Sequence, residues 1–452
     1  VAALNATHDP ARRSWVESAN DQRGDFPVQN LPLGVFRRRS EPASSARAGV
    51  AIGDQVLDLA ACLDAGLLAG TPAEMPARLA VTGGTLNALM AAGNRASSAL
   101  RAGISELMRE GGEAAARARA EAARILVPMS EAELGLPAAI NAFTDFLTSI
   151  HHTERGGRMT RPDSPVPQNF RHLPIAYNSR ASTVVPSGHA IRRPNGQRRR
   201  PEGEVVFGPC DHLDFELELG LFIGPGNAMG EPIALRAAPE HIFGYCLVND
   251  WSARDIQRWE SHPLGPFLAK SAATSISPWI VTAEAMAPFR TAAFARPAGD
   301  PAPLPYLTDP TDQDEGGMDL GLDAFILTAH MRERGEAPAR LTATNFRHMY
   351  WTFAQMLTHH ASNGCALRPG DLIASGTTSG PTDEARACLS ELNLDLSTRS
   401  RRPVALPNGE SRLWLEDGDE VIFRARAERR GFVPIGFGEC RGRVDPAPAW
   451  PV

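Results

Sequence analysis

Apolar positions change period along this chain, and each change predicts a different element. RAGVAIGDQVLDL (47–59) is two short apolar runs around Gly53-Asp54, which predicts a β-hairpin. From Thr82 to Ala123 the chain turns alanine-rich and charged, and this predicts helix interrupted at Gly111-Gly112. Short alternating runs take over afterwards, which places a domain boundary in 125–140. HLDFELELGLFIG (212–224) alternates as a strand does, and HIFGYCLVNDWS (241–252) is an apolar run with a polar end. DLIASGTTSGP (371–381) predicts a strand leaving into a loop, and DGDEVIFRARAE (417–428) a turn followed by a strand. One apolar stripe has helical spacing: Phe346, Met349, Tyr350, Phe353, Met356 and Leu357. It predicts a helix over 345–362, capped by Thr344 or Asn345 and ended by Asn363-Gly364. The sequence has no internal repeat.

Composition narrows the class. A chain of 452 residues is long enough for two or three domains, and 40 Gly with 37 Pro point to many turns and a strand-rich body. No apolar run approaches the ~18 residues of a membrane-spanning helix. The opening VAALNATHDPARRSW has no basic segment leading into an apolar one, so no secretion signal is expected. Net charge is −6, which argues against non-specific binding to nucleic acid or an anionic membrane. RRPNGQRRRPEGE (192–204) and TDPTDQDEGG (308–317) therefore read as solvated loops. The six cysteines form no C-x-x-C pair, and fit reduced thiols of a cytoplasmic protein.

Among 46 basic residues a single lysine, Lys270, survives. Arginine replaces lysine readily where a cation only faces solvent. It cannot imitate a compact ammonium with an adjustable pKa. A functional role for Lys270 competes here with chance survival.

Carboxylates supply the other candidate chemistry. Residues two apart share a strand face, so Asp214, Glu216 and Glu218 line one side while Phe215, Leu217 and Leu219 pack on the other. Such a row is either an exposed strand face or a site for a hard cation, Mg²⁺ or Ca²⁺. Asp145 in NAFTDFLTS and Asp250 in LVNDWSARD interrupt apolar segments. Each alone reads as a cap or turn residue; with Glu216 and Glu218 they make a four-carboxylate set. Arg254 and Gln257, three apart, share one face of a helical turn.

FTDF, RASTVVPSG, IRRPNGQ, LDFELELG, FIGPGN, GEPI, HIFGYCLVNDWSARDIQRWE, PLGPFLAKS, THHASNGCALRPGDLIASGT and PIGFGEC together resemble the signatures of the fumarylacetoacetase family. FPVQNLPLGVF and GVAIGDQVLDL resemble its N-terminal part, so the likeness runs in order along nearly the whole chain. The family hydrolyses the carbon–carbon bond of fumarylacetoacetate in tyrosine breakdown. The resemblance implies a divalent cation held by Asp145, Glu216, Glu218 and Asp250, and a second cation position using Asp250, Lys270 and Thr274. It implies His152 as the base that activates water, Glu391 as its orienting partner, and Arg254, Gln257 and Lys270 around the developing oxyanion. Substrate-binding positions fall on Arg161, Tyr177, Gln257 and Thr377. Two positions depart from the family: Leu147 and Ser261 stand where it commonly has tyrosines, and a leucine leaves the acid-binding end with one donor fewer.

The resemblance, with the strand-rich pattern, leads us to expect a mixed, mostly β fold. Residues 1–130 are expected to form a small SH3-like barrel domain with a helical segment, and 131–452 a large catalytic β-roll. The family's homodimeric state is expected, as is a small diketo-acid substrate. Two other readings stay open: a related diketo-acid hydrolase or decarboxylase with another acyl group, and a metal-stabilised binding protein without activity.

Overall fold

The computed structural model describes residues 3–450; Val1, Ala2, Pro451 and Val452, which the expected domain ranges include, lie outside the described residues. The hairpin at Gly53-Asp54 forms as expected, from the strands Arg47–Ile52 and Gln55–Asp58. They belong to a five-stranded antiparallel sheet with Leu33–Arg38, Leu126–Pro128 and Ala132–Leu134. Between Gln55–Asp58 and its neighbour Leu126–Pro128 the chain makes a run of helices, the longest being Gly93–Met108. Met108 ends that helix and Glu113–Ala120 begins anew beyond Gly111-Gly112, whose φ values of 76° and 94° suit glycine and no β-carbon residue.

The rest of the chain builds two curled sheets. The larger has eight strands, and along its main path it runs Ile175–Ser179, Phe143–Leu147, Leu372–Ala374, Leu217–Ile223, Ile242–Asp250, Thr274–Ile276 and Val184–Pro186. The second has five: Ala339–Asn345, Gly321–Leu327, Glu420–Ala427, Ile435–Asp445 and Ile191–Arg192. Period-two alternation explains how the larger sheet is buried on both faces. Leu217, Leu219, Leu221, Tyr245 and Leu247 pack towards the second sheet, against Phe423, Val421 and Phe437. Phe143, Phe222, Cys246, Val248 and Ile276 face the other way, onto Val35, Val50, Leu100 and Ile104 of the N-terminal part.

A mostly β fold is overturned: helix and strand are nearly equal, at 29% and 27%. Between Leu59 and Ile125 the N-terminal part carries six α-helices and one 3₁₀ turn, more helix than the single segment expected. Proline was read as a sign of turns and strands, but it starts helical turns at Pro305–Leu307 and Pro310–Glu315, where its missing N–H costs nothing. The acidic stretch at 308–317 is thus no plain loop: Asp309 caps that short helix and Asp312 is buried. The arginine-rich stretch is a hairpin, Asn195–Arg199 against Val205–Pro209. The helix expected over 345–362 is shorter. Phe346–His348 is a single 3₁₀ turn, and the α-helix runs Phe353–Ala361 from a Thr352/Gln355 capping box, a stronger start than Asn345. Among the described residues no helix is long and apolar enough to cross a membrane. All six cysteines are free, and only Cys365 is exposed.

Candidate active site

The register of the large sheet gathers the carboxylates. Asp145 lies opposite Tyr177 on one side and Ala374 on the other; Asp250 lies opposite Thr274. Asp145, Glu218 and Asp250 continue the apolar face of Phe143, Phe222 and Val248, so the site begins where that packed face ends. Glu216 stands one step beyond its strand, where its backbone N–H meets the Asn249 side chain at 3.2 Å. Ligand atoms of Asp145, Glu216, Glu218 and Asp250 all lie within 4.8 Å of one another, and all four residues are buried.

Two cations meet this cluster. The Lys270 ammonium, buried in the turn Leu268–Lys270, contacts Glu216 and stands 2.6 Å from Asp250 Oδ2. Arg254 Nη2 is 2.7 Å from Glu216 Oε1. Burial alone would lower the Lys270 pKa, but Asp250 and Glu216 overcome it and hold the ammonium charged. Burial would likewise raise Glu216, and Arg254 and Lys270 reverse that, keeping it ionised. Asp145 and Glu218 have no such partner. Burial and the neighbouring carboxylates push both well above the ordinary range. Asp145 Oδ1 and Glu218 Oε1 have no hydrogen-bond partner among the described residues, an arrangement that costs several kcal/mol per ion unless a cation compensates. Glu218 Oε2 accepts one bond, from the Gly376 N–H at 3.2 Å. Only glycine serves there, since φ is +77° and a β-carbon would lie 2.1 Å from the Phe146 carbonyl. An all-oxygen donor set with two orphaned carboxylate oxygens fits a hard divalent cation.

The remaining predicted residues divide. His152 sits in the first turn of the helix Ile150–Thr160, whose cap Ser149 accepts from the His152 N–H at 3.1 Å. Its Nδ1 is hydrogen-bonded to Glu391 Oε1. Burial would raise Glu391, but His152, Arg155 and Ser379 hold its carboxyl down to about 2. Arg254 opens the helix Arg254–Glu260 and donates to Gln257 Oε1 at 3.2 Å. Tyr177 donates to Asp250 Oδ2 at 3.2 Å, and Thr274 Oγ1 is 3.5 Å from Asp250 Oδ1. Thr377 is buried on the loop beside Gly376. Leu147 joins the apolar cluster of Ile150, Phe170, Tyr350 and Trp351. Ser261 spends its hydroxyl on the Gln257 carbonyl at 2.6 Å. Arg161 is exposed, and its guanidinium hydrogen-bonds the Pro165 carbonyl at 3.3 Å rather than another candidate residue. His151 turns away, its ring edge-on to Phe294 and His348.

Sequence reasoning missed Arg155, which grips Glu391 Oε2 at 2.9 Å, and Ser379, which donates to Glu391 Oε1. Arg155 was findable, lying three residues beyond His152 on one helix face. Asp214 was misplaced. It is buried, but it leaves the row of Glu216 and Glu218 to receive Arg254 Nε at 2.9 Å.

Residues 29–137 match the family described as fumarylacetoacetase N-terminal, and residues 141–445 the family described as fumarylacetoacetate hydrolase C-terminal. A fumarylacetoacetase of Bos taurus is 45% identical over 437 residues, covering 96% of this chain and 99% of that protein. Those of Oryza sativa subsp. japonica and Homo sapiens are 44% and 43% identical, each over 96% of this chain, and 97% and 99% of their own lengths are covered.

Proposed function

We infer the reaction from the premise that the chain belongs to the fumarylacetoacetase family, and propose that it hydrolyses fumarylacetoacetate to fumarate and acetoacetate. The observation that carries this reading is the buried four-carboxylate cluster next to a histidine–glutamate pair. With Nδ1 committed to Glu391, the free ring nitrogen of His152 is Nε2. It takes a proton from water as the oxygen attacks the ketone carbon. Glu391, ionised throughout, fixes the tautomer and steadies the imidazolium. Arg254, Gln257 and Lys270 are the donors to the alkoxide that forms. Collapse of the alkoxide breaks the carbon–carbon bond and releases fumarate. The carbanion left behind takes the proton from His152 and becomes acetoacetate. A divalent ion, Mg²⁺ or Ca²⁺, held by Asp145, Glu216, Glu218 and Asp250, supplies when bound the positive charge that favours the enolate form of the diketone.

Tyr177 and Thr377 are proposed to line the substrate, with Arg161 at its outer end. The apolar wall at Leu147 favours a second reading of the acyl end, a related diketo acid with no oxygen to pair there. Buried free thiols suit a cytoplasmic protein, and the family supports a homodimer, which light scattering at micromolar concentration tests. The deciding experiment measures fumarate and acetoacetate released from fumarylacetoacetate, with and without chelator. Chelator-sensitive release of both is expected. Turnover of another diketo acid alone would move the assignment to the second reading, and full turnover after exhaustive EDTA treatment would remove the metal from it.

A further inference from the structure

Asp214 is fully buried, belongs to no cation cluster, and uses both carboxylate oxygens on two separate parts of the site. Oδ2 receives Arg254 Nε at 2.9 Å and the Ser390 N–H at 3.0 Å. Oδ1 receives the Leu389 N–H at 2.7 Å and the Phe215 N–H at 2.9 Å. Leu389 and Ser390 open the one-turn helix Leu389–Leu392 that carries Glu391, and its own cap residue, Cys388, makes no side-chain capping bond. Asp214 therefore caps that turn from a distant strand, in the place a serine or aspartate at 388 would fill. The same carboxylate pins the guanidinium that reaches Glu216 and Gln257.

We propose that Asp214 is a positioning residue that sets the orienting glutamate and the oxyanion arginine against each other, so that both face one substrate. A neutral or missing side chain there frees the turn under Glu391 and the Arg254 head at once. Such a fault acts on the transition state, where geometry is most demanding, and little on ground-state binding.

The proposal rests on His152 and Glu391 acting as base and orienter, so wild type and Glu391→Gln are assayed in parallel on fumarylacetoacetate. Inactive wild type would overturn that reading alone, whereas fully active Glu391→Gln would overturn both it and the role of Asp214. Given active wild type, Asp214→Asn is expected to fold, to bind Mn²⁺ with unchanged affinity by calorimetry, and to lose about 10–10² in kcat, the scale of a misplaced catalytic group, with KM within threefold. Adding Glu391→Gln to it should cost less than Glu391→Gln costs wild type, because both act through one group. Cys388→Ser supplies a local cap. Because the Cys388 thiol also lies 3.6 Å from Glu391 Oε1, the reference is Cys388→Ser alone, against which Asp214→Asn/Cys388→Ser should lose less kcat than Asp214→Asn loses against wild type. If Asp214→Asn does not fold, the Asp214→Asn/Cys388→Ser pair is measured in its place. A kcat within threefold of wild type, a loss carried by KM or by metal affinity, strict additivity with Glu391→Gln, or failure of both forms to fold would each overturn the assignment.

Discussion

Two buried ionic clusters share the centre of this protein and are satisfied in opposite ways. Glu391 is surrounded by donors: His152, Arg155 and Ser379 all point at it. The other cluster sets four carboxylates against Lys270 and Arg254, and two of the four reach neither cation. The carboxylates of both are buried, so the contrast is one of charge balance. A closed cluster needs nothing further and can only hold its members still. An unbalanced one stores repulsion that an added cation relieves, which is how a protein makes its affinity for an ion. The first arrangement suits orienting a base; the second suits a metal.

The largest effect expected from breaking the contrast is at the unbalanced cluster. Glu218→Gln and Asp145→Asn should abolish turnover and divalent-ion binding by calorimetry. In metal-free buffer each should nonetheless melt above wild type, because an amide removes a buried like charge. Unchanged ion affinity in either variant would place the ion elsewhere. Next in size is His152→Ala, expected to lower kcat by about 10²–10⁴ while His151→Ala stays mild. The reverse order of severity would mean that the neighbouring histidine does the work.

Lys270→Arg keeps the charge but puts a planar, larger head between Glu216 and Asp250. A loss of at least about 10² in kcat is expected, with little change in melting temperature. Activity within about twofold of wild type would make the single lysine an accident of composition.

The smallest effect is on stability, and it differs in sign between the clusters. Glu391 has its folded pKa depressed to about 2 from about 4.5. It stabilises the fold above the unfolded carboxyl range, on the order of 3 kcal/mol, and that contribution fades as pH falls from about 4.5 towards 2. Glu218 is raised instead, so metal-free protein loses stability as pH climbs above the ordinary carboxylate range. Denaturant melts of wild type, Glu391→Gln and Glu218→Gln from pH 3 to 7 test this. The gap between wild type and Glu391→Gln should close at low pH, and that between wild type and Glu218→Gln should open at high pH.

What could be read before folding follows the same division. The strands Leu217–Ile223 and Ile242–Asp250 were legible because alternation and apolar runs are local signals. The helical share was underestimated because a Pro-Gly-rich chain can spend those residues on 3₁₀ turns and helix starts as readily as on strand turns. Arg155 went unseen because its role appears only when Glu391 arrives from 236 residues away along the chain, and Ser379 because it reads as one more polar residue of the loop that follows its strand.

By itself the sequence determined which residue types were available, the alternation that puts Glu216 and Glu218 on one side of a strand, the single lysine, and the order of motifs that marks the family. Tertiary structure alone decided which carboxylates meet. Asp145 and Asp250 join Glu218 through strand register, while Asp214, on the same alternating face in sequence, turns to Arg254 and to the helix of Glu391. The reason is physical. Side-chain period is a property of the local backbone, whereas the balance of charge around a buried group depends on every chain segment packed against it, and that sum exists only once the sheets have closed.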